Sequence, residues 1–150
     1  MTKNEAMRLA RMFEVLQSLG FTQSEAEKLR RISMTLHRWH ELECGDSNDY
    51  ASWAIERDGD EPDSKPYMVR HSHTGGKSTR YPIADRETGA RKRLDAIIER
   101  INKPYRFPFH QLSAYVQGDP RGAALYILRP GDIPEGQTAD ACYSRGICVY

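Results

Sequence analysis

A chain of 150 residues is long enough for one domain with a buried core and too short for two of ordinary size. Charged residues make up 29% and apolar residues 39%, which excludes a disordered chain; a net charge of +1 argues against an acidic DNA mimic but not against a local basic patch. No apolar run reaches membrane-spanning length, and the first residues lack a secretory signal pattern. We therefore expect a cytoplasmic protein without a membrane partner and with its three cysteines reduced.

Residues 1–45 predict a helical hairpin. Apolar residues at helical spacing indicate a first helix from about Asn4 to Leu19, and Gly20 stands where helices commonly end. Thr22 to Glu25 has the pattern of a capping box and begins a second helix that runs to about Glu43. The residues expected to face the core are Ala6, Leu9, Ala10, Phe13 and Leu16 in the first helix and Ala26, Leu29, Ile32, Leu36 and Trp39 in the second. A DNA-reading helix-turn-helix is the alternative, but it needs two short helices and the second predicted helix is long.

Between residues 48 and 110 the pattern predicts three strands and a helix. The strands run from Tyr50 to Asp58, from Pro66 to His73 and from Ser78 to Ala84, and they form a meander. Asp85 is expected to cap a helix from Arg86 to Ile101. The inward residues of this helix are Ala90, Leu94, Ile97, Ile98 and Ile101. A connector rich in proline and aromatic residues follows from Lys103 to His110 and cannot be helical.

The stretch from Leu112 to Pro130 predicts a β-hairpin. Its turn is Asp119-Pro120-Arg121-Gly122, in which the aspartate accepts a backbone hydrogen bond, the proline presets φ and the glycine can adopt a positive φ. The second strand, Ala123 to Leu128, is apolar on both faces, which is typical of a central strand. A last strand is expected from Cys142 to Tyr150, and at a sheet edge it would pair across the two-fold axis of a homodimer.

The order of these elements predicts an α+β fold in a single domain over residues 1–150. The helical hairpin occupies residues 1–45. Residues 48–150 are expected to form a mostly antiparallel sheet of about five to six strands with one further helix packed on it.

His37, His40 and Cys44 lie on one face of the second predicted helix, because their spacings are three and four residues. With a histidine or cysteine from elsewhere in the chain they would complete a tetrahedral zinc site in a small metal-binding protein or hydrolase. Against zinc, the ligands come from distant segments without a paired C-x-x-C, and helical histidines often only hydrogen-bond a carbonyl group at a packed edge. No pattern places a nucleophile beside a base, so catalysis is not the expected function. No cofactor is expected, and a bound zinc ion is the one alternative.

A basic cluster around the start of the third predicted helix is a candidate nucleic-acid site. Its members are Arg80, Arg86, Arg91, Lys92 and Arg93. Tyr67 and Tyr81 interleave with them, and such sites pair basic groups for phosphates with aromatic rings for bases. Acidic residues are interspersed along the same helix, so an ordinary solvated helix face is the alternative.

The connector offers a candidate protein-binding patch in Tyr105, Phe107 and Phe109, with Trp53 and Tyr50 as aromatic neighbours. In this interpretation the sheet displays the contact surface to a partner protein. The alternative is that these rings close the core beneath a loop.

Three stretches of the sequence resemble a known group of proteins. They are His37 to Gly45 (HRWHELECG), Arg80 to Leu94 (RYPIADRETGARKRL) and Tyr115 to Gly136 (YVQGDPRGAALYILRPGDIPEG). The chain resembles small uncharacterised proteins encoded by bacteriophages, prophages and other mobile elements of bacteria. The resemblance implies synthesis in a bacterial cytoplasm and action by binding, either to a host protein such as a CRISPR or restriction component or to nucleic acid; it implies no activity and no catalytic residue.

Overall fold

A computed structural model of the chain describes residues 1–59, 64–103, 111–119 and 122–150. It confirms the α+β class, with helices packed against two antiparallel sheets. The helices are α1 (Lys3–Ser18), α2 (Gln23–Cys44), α3 (Arg86–Asn102) and α4 (Ala139–Cys142). The strands are β1 (Asp46–Ser47), β2 (Ala51–Arg57), β3 (Pro66–Ser72), β4 (Thr79–Pro82), β5 (Ser113–Asp119), β6 (Gly122–Leu128) and β7 (Ile147–Val149). None of these helices is both long and apolar enough to cross a membrane.

The helical hairpin forms as predicted because the signals at its link are local. The hydroxyl of Thr22 accepts a hydrogen bond from the backbone N–H of Glu25 at 3.1 Å, and the Glu25 carboxylate accepts one from the N–H of Thr22 at 2.9 Å. Gly20, with a φ of 106°, reverses the chain between α1 and α2. All five core residues predicted for α2 are buried.

The buried face of α1 differs slightly from the predicted one. Met12 and Leu16 are buried, whereas Ala6 and Ala10 are exposed. A methionine four residues before a leucine shares its helix face, and its long side chain reaches the core where an alanine methyl group does not.

The strands form two sheets, where the sequence predicted one. The first sheet is the meander β1-β2-β3-β4, and the second sheet has the order β5-β6-β7, so β6 is central as predicted. Both sheets contact α2, the first through β2 and the second through β6, and no strand pairing joins the two sheets within the described ranges. Hydrophobic periodicity identifies strands but not their partners, so this division is not visible in the sequence.

The last strand is shorter than predicted. Residues 139–145 form α4 and a 3-10 turn, so the predicted start at Cys142 is wrong and only Ile147–Val149 pairs with β6. Gly146 passes so close to β6 that an added Cβ would lie 2.6 Å from a methyl group of Leu128. This close approach defines where the strand begins.

Two predicted features lie at least partly outside the described residues. In the turn between β5 and β6, Pro120 and Arg121 lie outside them, but the pairing of Asp119 with Gly122 and the φ of 151° at Gly122 agree with a two-residue hairpin. The connector residues Tyr105, Phe107 and Phe109 also lie outside the described ranges.

The main core is formed by α1, α2, α3 and the second sheet. Ser33 of α2 is buried and donates a hydrogen bond to the carbonyl oxygen of Val149 at 2.7 Å, which ties β7 to this core. Within the described ranges, no residue of the first sheet belongs to the cluster. The first sheet therefore depends on separate contacts with the helices.

Arg57 of β2 makes the most specific of these contacts. Its guanidinium group donates hydrogen bonds of 3.1 Å to each carboxylate oxygen of Asp85 and lies 5.7 Å from the ring centre of Trp39. Asp85 also caps α3 as predicted, because its carboxylate accepts hydrogen bonds from the backbone N–H and the hydroxyl group of Thr88. One carboxylate thus joins the first sheet to the start of α3.

Candidate functional site

An open cavity of about 560 Å³ lies between α2, the first sheet and the segment that leads from β4 into α3. We call it the cleft. Its apolar lining consists of Met34, Trp39, Leu42, Ile55, Met68 and Ile83. Met34 and Leu42 are eight residues apart in α2 and so share a helix face, while the pairing of β2 with β3 sets Ile55 beside Met68 on one face of the sheet.

The charged residues that line the cleft are both arginines. Arg38 belongs to α2, and its guanidinium group lies 3.5 Å from the carboxylate of Glu41. Arg86 is the first residue of α3, and its side chain makes no hydrogen bond or ion pair with any described residue. No acidic residue of the described ranges lines the cavity. The cleft is therefore apolar inside and positively charged at its rim.

A second cavity of about 410 Å³ lies on the other side of Met34 and Arg38, between α2 and the second sheet. Its lining is mostly apolar and includes Ala124 and Val149. Cys148 also lines it, but burial raises the pKa of this thiol, which disfavours the nucleophilic thiolate. Met34 is 53% exposed and stands on the ridge between the two cavities.

The three residues of the predicted zinc site lie on one side of α2. Nε2 of His37 is 2.9 Å from a carboxylate oxygen of Glu41, and Nε2 of His40 is 3.5 Å from the sulfur of Cys44. In the part of the chain that the structure describes, no three His, Cys, Asp or Glu side chains are grouped to hold a metal ion. The zinc site stays a prediction.

The two histidines pack on the backbone of the hairpin formed by β5 and β6. Nδ1 of His37 lies 3.1 Å from both the backbone nitrogen and the carbonyl oxygen of Ala123. A Cβ at Gly122 would lie 1.9 Å from Cε1 of His37, and one at Gly118 would lie 2.7 Å from Cε1 of His40. The two glycines therefore make room for the two rings.

No family model matches the chain, and no curated protein or solved structure matches it. The resemblance of three sequence stretches to mobile-element proteins stays an expectation. The functional proposal is therefore argued from the two cavities and from the ridge of α2 between them.

The predicted basic cluster is divided by the fold. Arg80 lies 3.7 Å from the ring centre of Tyr67 and forms an ion pair of 2.8 Å with Asp58. The guanidinium group of Arg91 lies 3.5 Å from the carboxylate of Glu87. The remaining members are Lys92 and Arg93, which are exposed on α3, and Arg86, which borders the cleft.

Met34 was not singled out by the sequence prediction. It lies off the buried stripe of α2, and a large apolar side chain outside that stripe is the signal that would have found it. Arg86 was predicted, but for contact with nucleic acid. Its position at the first residue of a helix, where the dipole favours negative charge, is the signal of a special role.

Two carboxyl groups meet where the end of α2 lies beside the start of α3. Burial raises the pKa of Glu87, and so does a hydrogen bond with Glu43. The indole N–H of Trp39 donates a hydrogen bond of 2.5 Å to Glu43. Two carboxylates held this close resist ionising together, so the arrangement disfavours the fully charged state.

We expect Glu87→Gln to stabilise the protein at neutral pH. A carboxyl group with a raised folded pKa stabilises the fold when protonated, and this contribution is lost as the pH rises through the folded pKa. The amide removes the repulsion and can still donate to Glu43, so the melting temperature at pH 7 should rise by about 2 °C. The gain should vanish near pH 4, where the wild-type carboxyl is protonated.

Glu99→Gln is the matched control for this substitution, because Glu99 is an exposed residue of the same helix. It should leave the melting temperature unchanged at both pH values. A Glu87→Gln variant that is less stable than the wild type at pH 7 would show that its half-exposed ion pair with Arg91 outweighs the repulsion.

Proposed function

We propose that this protein is a non-catalytic binding module that docks a partner protein on the ridge of α2 between the two cavities. Following the resemblance to mobile-element proteins, the partner is a bacterial host protein, such as a component of a CRISPR or restriction defence system. The observation that carries the proposal is the exposure of Met34 between two apolar cavities.

The surface has the composition that protein interfaces favour. A large exposed apolar side chain can insert into a partner, and the two cavities beside it can accept side chains of that partner. Methionine is flexible and polarisable, so it adapts to the shape of an incoming surface. Arginine, here Arg38 on the same ridge, is enriched at interfaces.

Nucleic-acid binding is the second candidate, and the exposed Lys92 and Arg93 favour it. It is the weaker one because Arg80 and Arg91 are each engaged by an acidic side chain, which reduces the charge available to phosphates. The aromatic residues of the connector, which lie outside the described residues, remain a predicted addition to the protein interface.

Photo-crosslinking in bacterial cells tests the proposal. Benzoylphenylalanine replaces Met34 in one variant and Glu99, which is exposed and lines neither cavity, in the other. We expect one discrete protein adduct from position 34 that survives nuclease treatment, and none from position 99. Equal adducts from both positions, or none from position 34, would contradict docking on α2. An adduct that nuclease removes would favour the second candidate.

A further inference from the structure

The lining of the cleft combines an apolar interior with two arginines at its rim. Trp39 and Ile55 line it and are almost fully buried, and most of the other lining side chains are apolar. The pairing of β3 with β4 sets Tyr81 beside Met68, so the half-exposed tyrosine ring extends this apolar surface beyond the cavity. A ligand that fits needs a bulky apolar group, because only such a group gains from displacing water there.

The position of Arg86 indicates that this ligand carries a negative charge. A cation at the first residue of a helix faces the positive end of the helix dipole, which disfavours it. Arg57, also near the start of α3, is neutralised by both oxygens of Asp85, whereas Arg86 has no partner among the described residues. An incoming carboxylate at Arg86 would relieve this unfavourable charge.

Arg38 supplies a second cation from α2. Its contact with Glu41 is long, at 3.5 Å, and its side chain is more than half exposed, so the ion pair contributes little and is readily exchanged. A carboxylate of the ligand can therefore replace Glu41 at small cost. Two cations from different elements then favour a ligand with acidic residues near its apolar group.

We infer that the cleft binds an acidic linear segment of the partner protein, in which a bulky apolar side chain enters the cavity and neighbouring Asp or Glu residues contact Arg86 and Arg38. This inference rests on the proposed docking function and adds the chemistry of the partner. A volume of about 560 Å³ lies within the range of pockets that hold ligand groups. Nucleic acid fits less well, because phosphates do not gain from apolar walls.

Selection from a random library of displayed 12-residue peptides tests directly which side chains the cleft prefers in a bound segment. We expect the wild-type protein to enrich sequences with Phe, Leu or Trp beside Asp or Glu. The charge-reversed double variant Arg38→Glu/Arg86→Glu should enrich Lys or Arg in place of those acids. Enrichment of the same sequences by both proteins, or no enrichment by the wild type, would overturn the inference.

The best selected peptide is then synthesised, and its affinity is measured by fluorescence anisotropy. Arg86→Glu should weaken binding about tenfold, and the affinity of the wild type should fall as salt is raised. Arg11→Glu, the same charge change at an exposed site on α1, should have less than a twofold effect. Arg86→Gln removes the charge without adding a carboxylate beside Glu87, and Arg86 makes no side-chain hydrogen bond or ion pair with a described residue. This variant should therefore bind the peptide more weakly while melting no lower than the wild type, which separates lost binding from lost folding.

The outcomes separate this inference from the docking proposal. If the selected peptides are apolar without acidic residues and reduce the formation of the adduct at position 34, the ridge is a docking site but the inference of an acidic partner segment is wrong. If acidic peptides bind but Arg86→Glu has no more effect than Arg11→Glu, the cleft is the wrong site for them. If crosslinking at position 34 fails while the peptides bind as expected, the cleft binds acidic segments but the partner does not cover Met34.

Discussion

Asp85→Ala is expected to lower the free energy of unfolding by about 2–3 kcal/mol, from a lost helix cap and lost charged hydrogen bonds. The carboxylate of Asp85 accepts a hydrogen bond from the backbone N–H of Thr88, which caps α3, and one from each of the two terminal nitrogens of Arg57. Without it, the guanidinium group beside Trp39 is left without its counter-charge. Urea unfolding measures the loss, and hydrogen exchange should show faster exchange in β2 and β3 than in α2.

Asp58→Ala is the matched control, since Asp58 also pairs with an arginine, Arg80. The side chains of that pair are 73% and 56% exposed, against 29% and 21% for Asp85 and Arg57. We expect Asp58→Ala to cost less than about 0.5 kcal/mol. Equal losses from the two substitutions would show that Asp85 does not join the first sheet to α3.

Acid titration should report on the same carboxylate. The hydrogen bonds from Arg57, with those from Thr88, lower the pKa of Asp85 from 3.8 to about 2. A carboxyl group with a depressed folded pKa stabilises the fold above its unfolded pKa, and this contribution is lost as the pH falls from 3.8 towards about 2. In Asp85→Asn this part of the acid-induced loss should be absent, while the loss from other carboxyl groups remains.

Gly122→Ala is expected to destabilise the protein by about 1–3 kcal/mol, because the new methyl group overlaps a packed ring. Its Cβ would lie 1.9 Å from Cε1 of His37, and the φ of 151° is unfavourable for alanine. Displacing the ring also removes its contacts with Ala123 and Glu41. Thermal and urea unfolding measure the effect.

A double-mutant cycle isolates the part of this destabilisation that comes from the overlap with the His37 ring. In a His37→Ala background, Gly122→Ala should lower the free energy of unfolding much less, because only the backbone strain remains. The coupling energy between the two substitutions should be about 1 kcal/mol. Gly131→Ala, at a glycine with no atom within 4 Å of the added Cβ, should be nearly neutral. If Gly122→Ala were as well tolerated as Gly131→Ala, the ring would not be packed on the hairpin.

Local signals in the sequence were sufficient for the three long helices, α1, α2 and α3, but not for the short α4. Thr22 with Glu25 and Asp85 with Thr88 each complete a cap within three residues, so the start of a helix depends on neighbours in the chain. The buried stripe of α2 follows from its period for the same reason. The division of the strands into two sheets depends instead on which distant segments meet, and no local pattern encodes that.

The candidate site shows the same limit. The sequence correctly placed His37, His40 and Cys44 on one side of a helix, but the surface that this side contacts includes Gly118 and Gly122, far along the chain. The spacing of two histidines and a cysteine suits zinc, whereas the bare glycine backbone opposite them explains the packing observed. The cleft was missed because its walls come from α2, the first sheet and the start of α3.

The position of β7 in the fold has a consequence for synthesis on the ribosome. The hydrogen bond from Ser33 to Val149 joins residues 116 positions apart, and β7 contributes Val149 to the same core as α2. While residues 1–45 are already outside the ribosome, the strand that completes their burial has not yet been made. The nascent helical hairpin must therefore keep part of its apolar stripe in contact with water or a chaperone until Ile147–Val149 emerges.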